Sequence, residues 1–204
     1  GYYYSAGNFS FLAKVNAFFV HDIAENPELV EDSQKTLDSL IAQLDTQIED
    51  QQKILDQTVP IEGVEWYIAA QQRLTWAKLN LEKLKSQPQV IVVTENGEYN
   101  QSVERIQEYE FARAWVESVS QFYAIAREQS SKGLKSQTPF KDYYSQFIEN
   151  AEKGMELISE GDSEDAQRRL DAARMDQLNG RHLSAAMNAA SSLSLINANL
   201  IETD

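Results

Sequence analysis

The chain has 204 residues, a formal net charge of −14 and 42% apolar residues. That length holds one sizeable domain or two small ones, and that apolar content excludes a disordered chain. No Lys/Arg run is long enough to neutralise a line of phosphates, so nucleic acid and anionic membrane are not expected partners, and the absence of cysteine removes disulfides, thiolate zinc sites and cysteine nucleophiles.

Four prolines and eight glycines punctuate the chain sparsely, which favours long helices over many short strands. Seven helical segments are legible. The first spans about Tyr4 to Glu25, with apolar residues (Phe9, Phe11, Leu12, Val15, Phe18, Val20 among them) around nearly its whole circumference. That pattern predicts the buried centre of a bundle. Its longest apolar stretch, Phe9 to Val20, contains Lys14 and Asn16 and is too short and too polar to span a bilayer. Asn26-Pro27 reads as an N-cap and N1 pair opening the next helix.

The second helix runs to about Gln57, with Val30, Leu37, Ile41, Leu44, Ile48 and Leu55 stepping by three and four across a near-heptad seam. The third, about Gly63 to Lys85, carries Tyr67, Ala70, Leu74, Ala77, Leu81 and Leu84 in the same rhythm. Joined by a short link ending at Pro60, the two predict a long antiparallel hairpin over 27–85. Val90 to Val93 is β-branched, and Asn96-Gly97 is a type I′ turn signal. With no second β-like run nearby, 88–99 is expected to be an extended connector, the alternative being a strand paired with an edge elsewhere in the chain.

Helical hairpins follow over 102–201. The fourth helix, about Ser102 to Gln129, holds Tyr109, Phe111, Trp115, Phe122 and Tyr123. The fifth is expected from Pro139 to Ser159, the sixth from Glu164 to Leu178, and the seventh from Arg181 to Ile201. Gly161-Asp162-Ser163 and Asn179-Gly180 separate them.

Three short stretches share a pattern: Gly1-x-Tyr3-x-x-Ala6, Gly97-x-Tyr99-x-x-Ser102 and Gly180-x-His182-x-x-Ala185. A glycine can end a preceding helix in the left-handed region. The ring then packs over the turn, and the small residue admits a close neighbour. The pattern resembles the inter-helix turn of tetratricopeptide repeats, without their regular period, which implies irregular helical hairpins.

No residue set identifies a reaction. Ser5-Ala6-Gly7 matches the tripeptide around the nucleophile of Lon-type proteases. Tyr3 and Tyr4 stand before it, and no positioned base is evident, so Ser5 reads as a packing residue. His21 beside Asp22 could orient a general base but reads first as a helix-end partner, and His182 is the other histidine. Asp162, Glu164 and Asp165 lack calcium-loop spacing, and no catalytic, cofactor-binding or metal-ligating set is expected. Trp115, Tyr143 and Tyr144 are the aromatics best suited to a partner surface, should any ring be left exposed.

The stretches YYYSAGNFSFLAKVNAFFV, IQEYEFARAWVESV and NGRHLSAAMNAASSLSLINANL resemble the helical region that follows the protease domain in archaeal Lon-like serine proteases, which lack the Lon ATPase module. The resemblance implies a Ser–Lys dyad upstream of Gly1, in a longer protein, and an extracytoplasmic or membrane-associated setting. The opening Gly and the lack of a signal peptide agree with a chain that belongs to a larger protein.

The expected fold is therefore all-α, a single irregular multi-helix bundle over 1–204. The expected role is a non-catalytic accessory or protein-interaction domain, as the C-terminal part of such a protease. The alternatives are a free-standing scaffold binding a peptide in an aromatic groove, and a small helical enzyme using His21 or His182. A protein or peptide partner is expected, with no cofactor.

Overall fold

The structure, a computed structural model, describes residues 2–27, 29, 33–56, 59–60, 62–86, 91–94, 97–100, 102–129, 133–134, 144–158 and 164–202. Among them are seven helices: α1 (Tyr2–Glu25), α2 (Ser33–Leu55), α3 (Val64–Ser86), α4 (Ser102–Gln129), α5 (Ser145–Met155), α6 (Glu164–Leu178) and α7 (His182–Glu202). The chain is all-α, as its composition and periodicity indicate. It divides into two compact units: Gly1–Ile54 with Trp76–Ser120, and Leu55–Thr75 with Gln121–Asp204.

In the first unit the seam of α2 is buried at Leu37, Ile41, Leu44 and Ile48, and that of α3 at Ala77, Leu81 and Leu84. Lys85 donates to Asp45, and Lys78 Nζ donates to Gln52 Oε1 at 3.1 Å. Partners that ascend on one helix and descend on the other define an antiparallel pair, with alanine on α3 where the expected close approach requires it.

The stretch expected as an extended connector forms a hairpin instead. Strand β2 (Ile91–Thr94) pairs antiparallel with β3 (Gly97–Asn100), in register from Ile91↔Asn100 to Thr94↔Gly97. Glu98 and Asn100 carry little β signal of their own, and Tyr99 is the one strand former among the three. A β-branched strand needs partners for its backbone groups, and the next stretch of chain supplies them, with Gly97 in the strand opposite Thr94.

Helix α1 also departs from expectation. Over its described side chains, from Phe9 on, one face packs, with Val15 at 1% exposure, while the opposite face is open, with Phe9 71% and Val20 65% exposed. Phe11 on the packed face stacks on Trp115 of α4 at 3.9 Å between ring centroids. At its end, Asn26 turns back onto the helix while its own carbonyl accepts from the Leu29 N–H at 3.0 Å, and residues 28 and 30–32, on which the expected cap depends, lie outside the described residues. The Asn26 backbone N–H and its side-chain Nδ2 both donate to the Asp22 carbonyl, at 2.9 and 3.3 Å. It thereby satisfies a carbonyl that the end of α1 would otherwise leave open.

In the second unit, strand β1 (Val59–Pro60) pairs antiparallel with β4 (Gly133–Leu134). A Cβ on Gly63 would lie 2.6 Å from the Ala126 carbonyl oxygen, so only glycine lets the start of α3 meet the end of α4. Tyr67 donates its hydroxyl to the Leu55 carbonyl at 2.7 Å, closing the last turn of α2. Helices α5, α6 and α7 enclose a core of Tyr144, Ile148, Ala151, Ala166, Leu170, Ala173, Ala185, Ala189 and Ile196. Helix α5 begins at Ser145, later than the expected Pro139, and 139–143 lie outside the described residues.

Of the three Gly-ring-small stretches, the one at Gly180 behaves as expected. Gly180 has φ +70°, its N–H donates to the Gln177 carbonyl at 3.1 Å, and the Arg181 N–H donates to the Asp176 carbonyl at 2.9 Å. These are the paired bonds of a left-handed helix terminus. The His182 ring stacks on Tyr144 at 5.6 Å, and its Nδ1 is 2.9 Å from the Tyr144 hydroxyl. Gly97 lies in a strand rather than between helices, and Gly1 lies outside the described residues.

Candidate functional site

Of the aromatics singled out for partner binding, Trp115 and Tyr144 lie among the described residues. Trp115 is occupied by its stacking on Phe11 in the first unit. Tyr144 is fully buried in the core of the second, where its ring and hydroxyl engage His182. Tyr143 lies outside the described residues. Of the histidines, His21 is exposed, with Nδ1 3.2 Å from Asp22 Oδ1. Ser5 falls within α1, and its side chain is outside what the structure describes.

What sequence reading missed lies on α1. A helix turns about 100° per residue, so Phe9, Leu12, Ala13, Asn16, Ala17 and Val20 share one face, and all six are exposed. Between positions 9 and 24 the formally charged residues are Lys14 and Asp22, and both turn the other way. Lys14 pairs with Glu117 of α4 at 3.0 Å, and Asp22 with Arg113 of α4 at 2.8 Å. A surface helix ordinarily buries its apolar face and presents charge to water. Here the inner face takes the ion pairs together with Phe11, Val15 and Phe18, leaving an uncharged, largely apolar outer face. In a chain whose residues are 25% charged, that face stands out.

The inner face carries a second feature. Glu110 of α4 has no exposed surface. Its Oε2 is 3.4 Å from Arg113 Nη1, the nitrogen that also bonds Asp22 Oδ2 at 2.8 Å, and its Oε1 finds no hydrogen-bond partner among the described residues. Burial, followed by the hydrogen bond to Asp22 and that group's charge, pushes the Glu110 carboxyl up to about 8, against the opposing pull of Arg113. For Asp22, burial acts upward, but the hydrogen bonds from His21 and Glu110 and the charge of Arg113 together hold it below its ordinary value. Burial also raises the Tyr109 phenol to about 12. Arg113 lies over the Phe18 ring at 4.3 Å from the centroid, which fixes the guanidinium between the two helices. The sequence did hold a trace of this arrangement: Glu110 and Arg113 interrupt the stripe of Ile106, Tyr109 and Val116.

The second unit has its own buried polar knot. Asp176 accepts from Arg181 Nε at 2.7 Å, Ser184 Oγ at 2.6 Å and Asn188 Nδ2 at 2.9 Å, and also from the Thr75 hydroxyl. Arg181 Nη2 in turn donates to Thr75 Oγ1 at 2.9 Å. Every member is buried and the carboxylate is fully engaged, so the knot has the character of a structural joint.

Among the described residues there is no group of three or more His, Cys, Asp or Glu that could hold a metal ion, and no helix long and apolar enough to cross a membrane. Comparison with protein-family models, with curated proteins and with solved structures finds no match.

Proposed function

We propose that the chain is a non-catalytic interaction module whose α1 receives an apolar-faced helix of a protein partner. The observation that carries this is the exposed outer face of α1, from Phe9 through Leu12 and Ala13 to Val20. Ala13 and Ala17 admit a close helix, and Phe9, Leu12 and Val20 supply the large side chains that dominate such contacts. A helix is the natural occupant of a straight, uncharged helical face, because it satisfies its own backbone groups and asks only for apolar cover. The resemblance to archaeal Lon-like proteases suggests one concrete partner, a protease domain in the same polypeptide, for which this module would be an accessory.

The test is site-specific photo-crosslinking in the source cells from position 20, with position 49 on α2 as an exposed control. The expected result is a defined protein crosslinked from 20 and not from 49, whose purified form binds the chain and loses at least about tenfold affinity on Leu12→Asp. Equal crosslinking from both positions, or binding indifferent to Leu12→Asp, overturns the reading.

A further inference from the structure

We propose that Glu110 and Asp22 form a proton-held clasp between α4 and α1, which closes at neutral and acidic pH and loosens as the solution becomes alkaline. The inference concerns the inner face of α1, so its failure leaves the partner reading intact.

The geometry leaves Glu110 little choice. Its side chain has no exposed surface, its Oε1 finds no hydrogen-bond partner among the described residues, and its Oε2 lies 3.4 Å from the same Arg113 Nη1 that bonds Asp22 Oδ2 at 2.8 Å. An ionised Glu110 would place two negative charges against one Arg113, with an unsatisfied anionic oxygen in the interior. A neutral Glu110 removes that conflict. Its O–H donates to the Asp22 carboxylate, and Asp22 keeps its 2.8 Å bond from Arg113 Nη1. The proton is thus part of the joint. It turns two like groups, one from each helix, into donor and acceptor.

The groups set against Glu110 are Asp22 from α1, and Arg113 and Tyr109 from its own helix. One contact further out, His21 lies on Asp22 and Glu117 lies on Arg113, the latter at 3.5 Å. Losing the Glu110 proton leaves Asp22, Glu110 and Glu117 sharing Arg113, with Lys14 the other cation, on Glu117. Like-charge repulsion then falls on the pair that bridges the helices. The response is for α1 to lift at its Asp22 end and admit water to Glu110.

Hydrogen exchange at the α1 backbone amides tests this in the full chain, between pH 6 and 9 and corrected for the intrinsic pH dependence of exchange. In the unaltered protein the opening of α1 is expected to rise on the order of tens-fold across that range, as proton linkage requires. Glu110→Gln keeps a donor for Asp22 but cannot ionise, so its corrected opening should stay flat. Asp22→Asn offers an N–H to an ionised Glu110, so its rise should be smaller than in the unaltered chain; this variant also serves if Glu110→Gln does not fold. A flat profile in the unaltered chain, or a rise in either variant equal to that of the unaltered chain, overturns the clasp.

Discussion

Arg181 Nε donates to Asp176 Oδ1 at 2.7 Å, and neither side chain has any exposed surface. The same carboxylate closes the α6–α7 turn from inside, since Ser184 and Asn188 of α7 also donate to it. A buried charge held in this way is costly to orphan. Asp176→Ala leaves the Arg181 guanidinium uncompensated and should destabilise the second unit by about 3–5 kcal/mol. Urea unfolding followed by circular dichroism measures it. A loss under about 1 kcal/mol would mean that water reaches Arg181.

Stability should fall as pH rises from mildly acidic to mildly alkaline. Glu110 titrates near 8 when folded, against an ordinary 4.5. Between those values the folded chain holds a proton that the unfolded chain has released, at a cost of up to about 1.4 kcal/mol per pH unit. The contribution is complete below the unfolded value and lost once pH passes the folded one. Asp22 acts in the opposite sense, losing its stabilising effect in strong acid. Urea midpoints at pH 5, 7 and 9 should decline in that order and flatten in Glu110→Gln. Midpoints that climb, or an unchanged slope in the variant, would contradict the assignment.

The two faces of α1 should answer oppositely to one substitution. Val20→Asp on the exposed face is expected to change stability by no more than about 0.5 kcal/mol. Val15→Asp on the packed face buries an unpaired charge and should cost several kcal/mol, on the order of 3 or more. Thermal unfolding of the two variants side by side decides the matter. Similar losses would show that the outer face is covered within the chain itself.

Glycine is required in the second unit for two separate reasons. A Cβ on Gly154 would lie 2.8 Å from Ile196 Cγ2, so Gly154→Ala should cost about 1–3 kcal/mol through overpacking. Pairing it with Ile196→Val should recover part of that loss. Nothing lies near a Cβ on Gly180, whose difficulty is its φ of +70°. Gly180→Ala should therefore cost about 1–2 kcal/mol with no rescue from neighbouring truncations. Double-mutant cycles on Gly154 and Ile196 separate the two causes.

Local pattern was enough to determine the helices and much of their inward faces. Leu37, Ile41, Leu44 and Ile48 on α2, and Tyr67, Ala70, Leu74, Ala77, Leu81 and Leu84 on α3, are all buried, because a stripe repeating every three or four residues must turn one side from water wherever the helix packs. Asn179-Gly180 was legible for the same reason: a left-handed helix end is a demand on one residue's backbone.

The tertiary structure alone decided which face of an apolar helix is covered. The sequence of α1 is apolar on nearly every side, so its periodicity names no inward face. The choice falls to α4, whose Phe111, Arg113, Trp115 and Glu117 meet Phe11, Lys14, Phe18 and Asp22. Likewise the pairing of Glu110 with Asp22, and of Asp176 with Arg181 and Thr75, depends on burial, which gives a charge its consequence only once a distant part of the chain has excluded water from it. Periodicity is a property of one segment, whereas partnership and desolvation are properties of two or more, and the candidate sites of this protein are built from the second kind.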